Sequence, residues 1–339
     1  MNKSSSLLIL FICLGVSIYL GYIFHTNIYK SSTSENTAGE DFVAELLNKD
    51  KEPEEYTILL AGDVMLDRGV EGRILKYGNG DYTFPWQKIV GTTRDADIFF
   101  FNHEGPMSKL GVDSGKEYSF NFDTKAIGGI KYSGADVVSL ANNHALDWGS
   151  MALCDTIKNL REGGIEQVGA GCNKEEADTA FTKNLGGTKI AFIAFTEFYP
   201  ENYATEDRIG LTRFDEEELK NKIKYLKEVE MVDIVFVSIH WGEEYKTRSN
   251  QMQQTLAKSL IDSGADVIVG HHPHVVQEIE NYKNSWIIYS LGNFIFDQRQ
   301  EETNEGLMVK ITVSEKEIKN LETIPILINQ YSQPYIKSH

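Results

Sequence analysis

The sequence predicts an α/β fold of buried, mostly parallel sheets flanked by helices, and two observations carry that expectation. Short unbroken apolar runs rich in Ile, Val and Phe recur along the chain, the texture of strands covered on both faces. Segments with apolar residues at helical spacing separate these runs, so strand and helix alternate and the helices should cover both sheet faces.

Taken in chain order, the first element is a membrane span. Residues 7–24, LLILFICLGVSIYLGYIF, are uncharged and long enough to cross a bilayer as a helix. Lys3 and the amino terminus precede the run, whereas the residues after it turn acidic beyond Lys30. The positive-inside bias therefore puts residues 1–6 in the cytoplasm and the rest of this single-pass cell-membrane protein outside. A cleaved signal peptide is the alternative, but the run is long for its apolar region and no small-x-small site follows it clearly. Residues 25–55 are polar and acidic and read as a tether, with one short amphipathic turn at Phe42 to Leu47.

A catalytic domain is expected over residues 56–325. Its strands are YTILLAG, DIFFFN, DVVSLAN, TKIAFIAF, DIVFVSIH, DVIVG, SWIIYSLG and GLMVKITV. Its clearest helices are DEEELKNKIKYLKEV, with Leu219, Ile223 and Leu226 on one face, and NQMQQTLAKSLIDSGA, with Leu256, Leu260 and Ile261. Residues 326–339 are read as a C-terminal tail.

Composition limits the partners. The chain has 33 Lys plus Arg against 50 Asp plus Glu, a formal net charge of -17, and no basic run, which excludes nucleic acid as a partner. An anionic polymer would need bound metal or a few local cations to be held. Of the cysteines, Cys13 lies mid-span and reads as a packing residue, while a Cys154–Cys172 disulfide and two isolated thiols fit the sequence equally well.

Run after run ends in polar groups: Asp63, then Asn102 to Glu104, Asn142 to His144, His240, His271 to His274, and Asn293. Ligands of open α/β sheets bind outside the carboxyl ends of the strands, so these clusters should converge on one crevice. Carboxylate, imidazole and amide donors without thiolates suit Mn, Zn or Fe in a catalytic role. Singly, each has a plainer explanation: Asp63 as a helix cap, Asn142 and Asn143 as a tight loop, the glycine before His271 as a turn, His240 as a satisfied core residue. Jointly they do not, because His103, His144, His240, His271, His272 and His274 of the eight histidines all fall at strand ends.

The segments AGDVMLDRGV, NHEGPM, GADVVSLANNHALDWG, VGAGCN, HWGEEY, SGADVIVGHHPHVVQ and YSLGNFIFDQ occur in that order from about Ile58 to Gln298. They resemble the CapA family of poly-γ-glutamate capsule synthesis proteins, whose fold is similar to the sandwich of calcineurin-like metallophosphoesterases. The resemblance implies one or two divalent metal ions held by Asp63, Glu104, Asn143, His240, His272 and His274. It implies a catalytic His144, which steadies charge or protonates the leaving group, with Asp147 one helical turn on either orienting it or serving as a helix-start carboxylate. Asn102, Asn142, His271 and Asn293 would fix the orientation of the ligands. Trp148, Trp241, Tyr245 and Phe294 would line a substrate groove or pack in the core, with Trp241 and Tyr245 taken as substrate contacts.

One departure matters. Metallophosphoesterases open with Asp-x-His, and the corresponding run is Asp63-Val64-Met65; Glu104 also stands where a bridging aspartate is expected. Fewer ligands weaken the first metal, so phosphatase chemistry does not follow from the fold. The expected function is synthesis, release or export of a capsular polymer, poly-γ-glutamate first, beside a membrane polymer synthase complex. A phosphoesterase acting on small or lipid-linked phosphoesters and a metal-stabilised scaffold without turnover are the alternatives.

Overall fold

The computed structural model describes residues 53–298 and 300–337, so the anticipated span at 7–24 and most of the tether lie outside the described residues. Among the described residues no helix is long and apolar enough to cross a membrane. Among the described residues sixteen strands follow in order: β1 (Tyr56–Val64), β2 (Ile98–His103), β3 (Val137–Ser139), β4 (Glu166–Val168), β5 (Ala170–Gly171), β6 (Phe181–Leu185), β7 (Thr188–Thr196) and β8 (Gly210–Leu211). Then come β9 (Ile234–His240), β10 (Val267–His271), β11 (Ile279–Tyr282), β12 (Ser285–Ile288), β13 (Asn293–Ile295), β14 (Glu305–Ser314), β15 (Glu317–Ile328) and β16 (Pro334–Ile336).

Two sheets stack face to face. The larger has the order β16-β15-β14-β1-β2-β3-β4 with β13 beside the end of β1; the smaller has β11-β12-β10-β9-β7-β6. Strand alternation sorts the side chains into three cores. Ile58, Leu60, Ile98, Phe100, Phe192, Phe236, Val267 and Val269 fill the space between the sheets. Leu59, Phe99, Phe101 and Val138 face outward onto helices Arg68–Tyr77, Ala126–Ser133 and Ser150–Glu162. Ile193, Val235, Val237 and Ile268 meet helices Glu216–Glu228 and Gln251–Asp262 on the other outer face. Every central strand is therefore buried on both sides, which is why the sequence shows unbroken apolar runs. Phe192 joins the sheets by stacking at 5.1 Å on Phe100 and 4.5 Å on Phe236.

The helix starts follow capping rules. Asp215 accepts from the backbone of Glu217 and Glu218, and Asn250 forms a reciprocal capping box with Gln253.

The sheets are mixed rather than mostly parallel. Parallel pairing holds inside, through β1–β2–β3–β4 and β7–β9–β10–β12, whereas β6, β11 and the β14–β16 block run antiparallel. The cause is local. Gly186–Gly187, Lys283–Asn284 and Glu315–Lys316 all have positive φ, and each closes a two-residue hairpin that can only join antiparallel strands. The residues expected to form a tail continue the larger sheet: β15 runs to Ile328 and β16 pairs with it. Ser332 and Gln333 are buried there, bonding the Phe296 and Phe84 carbonyls at 2.9 and 2.8 Å.

Candidate metal centre

The strand ends meet as expected. Asp63 ends β1 at a register shift that re-aims its side chain. Gly62 makes the approach of β13 workable: a Cβ there would lie 1.9 Å from the Gly292 carbonyl, to which the Asp63 amide donates at 3.0 Å. Asn102 and Glu104 point into the pocket from the end of β2, whereas His103, between them, takes the opposite face and packs on Phe122. His103 is thus a core histidine, held down to about 4 by burial. His240 closes β9, His271 closes β10, and the backbone then turns through His272 (φ 97°) and His274 (φ 58°). Two non-glycine residues with positive φ on either side of Pro273 are costly, and strain of this kind collects at functional sites.

The contacts bring all six proposed ligands together. Asp63, Glu104 and His240 each offer a ligand atom within 4.8 Å of the others, and all three are buried. His240 Nε2 lies 2.9 Å from Asn143 Oδ1 and 3.2 Å from His272 Nδ1. His274 Nδ1 is 3.4 Å from Asp63 Oδ2, and its Nε2 is 3.7 Å from Glu104 Oε1.

The surrounding amides hold this set in place. Asn102 donates to Asp63 Oδ1 at 2.8 Å and to Glu104 Oε2 at 3.1 Å. Asn142 in turn donates to Asn102 Oδ1 and the His103 carbonyl, and accepts from the His144 amide. Asn293 Oδ1 sits 2.9 Å from His274 Nδ1. His271 Nδ1 lies 3.3 Å from Asp63 Oδ1, off the line of a hydrogen bond.

Electrostatics separate the two carboxylates. Burial pushes Asp63 up, yet the His271 and His274 imidazoles win and hold it well below the usual carboxylate range. Burial and the neighbouring Asp63 charge drive Glu104 well above it. Burial also lowers His240 strongly and brings His272 to about 3, so both offer neutral nitrogens. His274 goes the other way: burial opposes its charge, but Glu104 and Asp63 raise it to about 9.

These residues fit a divalent cation. Glu104 Oε1 is a fully buried acceptor with no hydrogen-bond donor, a second buried carboxylate lies close by, and His240 and His272 add neutral imidazole nitrogens to the set.

His144 stands at the edge of this set, its Nε2 4.0 Å from Glu104 Oε1. Asp147 Oδ2 lies 2.7 Å from His144 Nδ1, so Asp147 touches the imidazole rather than only capping a helix. Lys116, which no sequence pattern marks, donates to Asp147 Oδ1 at 2.9 Å and to the Asn143 carbonyl at 2.7 Å. The same holds of Phe120 and Phe198, which pack on His144 at 4.0 Å and on His272 at 4.3 Å. These residues arrive on long loops without periodic pattern.

One aromatic expectation needs correction. Trp241 is fully buried on the helix-facing side of β9, its indole N–H donating to the Tyr289 carbonyl, because it follows His240 and takes the opposite face. Phe294, for which groove and core were both open, packs against Trp86 and Phe99 in the outer core. Trp148 is half-buried on the loop before helix Ser150–Glu162. Tyr245 does reach the rim: it is 40% exposed, its ring 6.3 Å from His274 and its hydroxyl accepting from Gln298 at 3.2 Å. The cysteine question closes in favour of a Cys154–Cys172 disulfide, with Cα atoms 5.4 Å apart.

Fold and site together define a two-sheet α/β protein with a buried nitrogen-and-oxygen pocket, suited to a divalent cation, at the carboxyl ends of its parallel strands. The chain belongs to the bacterial capsule synthesis protein family PGA_cap, which matches residues 57–298. It is 33% identical over 297 residues to the capsule biosynthesis protein CapA of Bacillus anthracis, covering 86% of this chain and 72% of that one. Against the PGA biosynthesis protein CapA of Bacillus subtilis it is 32% identical over 280 residues, 81% of this chain and 72% of the relative. A phosphatase from Mycoplasma pneumoniae superposes with a TM-score of 0.49 at 14% identity, over 81% of this chain and 95% of that one.

Proposed function

We infer that this protein is a membrane-anchored, extracytoplasmic member of its family whose metal centre acts on a capsular polymer, poly-γ-glutamate, during its synthesis, release or export. The names of its relatives supply the polymer. The single observation that carries the chemistry is the buried Asp63–Glu104–His240 cluster with the His144–Asp147 pair at its edge. Anchoring rests on the apolar run 7–24, and the extracytoplasmic side is supported by the disulfide, which persists in oxidising compartments.

Asp63, Glu104, Asn143, His240, His272 and His274 would hold one or two divalent ions. Such an ion, when bound, supplies Lewis acidity and lowers the pKa of bound water to about 7 in favourable cases. The chain's own residues do the rest. His144 holds or moves a proton at the leaving atom, Asp147 fixes the tautomer by accepting from Nδ1, and Lys116 balances the Asp147 charge. Asn102 keeps the two carboxylates aimed inward. Phe120 and Phe198 shield the imidazoles from water.

A phosphoester is the second reading, favoured because a histidine oriented by a carboxylate suits protonation of an alkoxide leaving group equally well. The test uses the full chain in detergent, loaded with Mn2+ or Zn2+, on γ-glutamyl oligomers and on a generic phosphodiester. Turnover of the oligomer that disappears in His144→Asn while metal content stays constant is the expected result. Full metal occupancy with no turnover of either substrate would overturn the catalytic reading.

A further inference from the structure

At the outer face of the smaller sheet lies a cavity of ≈ 340 Å³, between helix Glu216–Glu228 and the turn Lys174–Ala177. Topology leaves it open. β6 begins at Phe181, which pairs with Phe192, so β7 runs on from there to Thr196 with no strand paired to it on that side among the described residues. Ala177, Ile193, Phe195 and Leu219, all buried, line the inner part with carbon. Gly169 completes the inner wall: its φ is 90°, and a Cβ there would stand 2.5 Å from that of Ala141 and 2.9 Å from that of Ala194. Small-molecule sites are cavities of this size with an interior of this kind.

The rest of the lining is charged. Three cations, Lys174, Arg213 and Lys222, stand beside two carboxylates, Asp178 and Glu218. Four of these five pair with one another: Lys174 bonds Asp178, and Arg213 lies 3.6 Å from Glu218, with Asp215 at 4.0 Å. Lys222 is left over. It is half-buried, and among the described residues its ammonium has no hydrogen bond and no ion pair, only the Tyr225 ring at 5.8 Å. Burial pushes its pKa down, and Asp178 and Glu230 attract the charge only from a distance. A partly desolvated ammonium with three donors and no acceptor, set beside an apolar cavity, lacks a partner that an anion would supply.

We propose that this cavity binds a small amphipathic monocarboxylate, its apolar body among Ile193, Phe195 and Leu219 and its carboxylate on the Lys222 ammonium. The site stands independently of the reading of the metal centre. A polyanion does not suit it, because one unpaired cation serves one carboxylate and any further negative charge meets Asp178 and Glu218.

The experiment is equilibrium dialysis of naphthoate, a soluble aromatic monocarboxylate, against the full chain in lipid nanodiscs, with empty nanodiscs as the blank and EDTA present so that metal contributes nothing. Saturable binding of one naphthoate per chain is expected, with the uncharged naphthamide about tenfold weaker. Lys222→Met should weaken naphthoate about tenfold and leave naphthamide unchanged, whereas Lys222→Arg should retain most of the affinity. Lys224→Met removes the same charge from an exposed position of the same helix and should change affinity less than twofold. Methionine is a good helix former and Lys222 makes no bond, so both methionine variants should fold. No saturable binding to the unaltered chain, equal affinity for acid and amide, or equal losses in Lys222→Met and Lys224→Met would overturn the site. Displacement of naphthoate by a γ-glutamyl decamer would overturn its restriction to a single carboxylate.

Discussion

Metal binding should be strongly pH-dependent, and His274 sets the scale. Its Nδ1 lies 2.9 Å from Asn293 Oδ1, which leaves Nε2 as the ligand atom, and Glu104 and Asp63 hold the metal-free ring protonated up to about 9. A cation must displace that proton, because only the neutral imidazole ligates. Each pH unit well below 9 therefore weakens affinity about tenfold, or about 1.4 kcal/mol, so affinity should rise about 50-fold from pH 7 to 9 and level above that. Glu104, also raised, retains a proton toward lower pH and steepens the slope there. Calorimetric titration of the full chain with Mn2+ in buffers of different ionisation heats reads affinity and proton release together. About one proton or more should leave per ion at pH 7. Constant affinity between pH 7 and 9, or no proton release, would refute the assignment of His274 as a ligand in this charge environment.

Other outcomes follow from the same geometry. His144→Asn should lower turnover by about 10²–10⁴-fold with unchanged metal content, measured by single-turnover kinetics and elemental analysis. Replacing both Cys154 and Cys172 by serine opens a link spanning a sequence separation of 18 and should cost about 3 kcal/mol in urea unfolding, with no change under reductant. Phe100→Ala removes a fully buried ring stacked on Phe192 between the sheets and should cost about 3–5 kcal/mol by the same measurement. For the metal-free protein, His240 and His272 have lowered values, so the unfolded chain takes up their protons first. Stability should therefore decline as pH falls from about 6.5 toward 3, read from the urea midpoint.

How much of this was legible depended on whether a residue's partners were near in sequence or in a repeating pattern. The central strands announced themselves because burial on two faces needs unbroken apolar runs, and polar residues at their ends had to meet once those strands lay parallel. Asp63, Glu104, His240 and His272 were readable for that reason. Three antiparallel strands follow from hairpin turns at Gly186–Gly187, Lys283–Asn284 and Glu315–Lys316; only the first carries a sequence signal, adjoining glycines between strand-like segments, while the other two are polar pairs of ordinary composition. Trp241 was misplaced because a residue after a strand-end ligand takes the other face, a rule of alternation that composition does not reveal. Lys116 and Phe120 carried no signal at all: both reach the pocket on an irregular loop whose course only tertiary packing defines.

The direction of β1 has a practical consequence. Its first residue, Tyr56, and its pocket-end residue, Asp63, stand near opposite ends of one nine-residue strand, ~23 Å apart. The carboxyl-terminal end of β15 pairs Leu327 with Glu305, on the same side of the sheet as the pocket. Immobilising the domain through residues before 56 would therefore leave the pocket end facing open solvent, and β16, antiparallel to β15, carries the chain back from that end as it runs from Pro334 to Ile336.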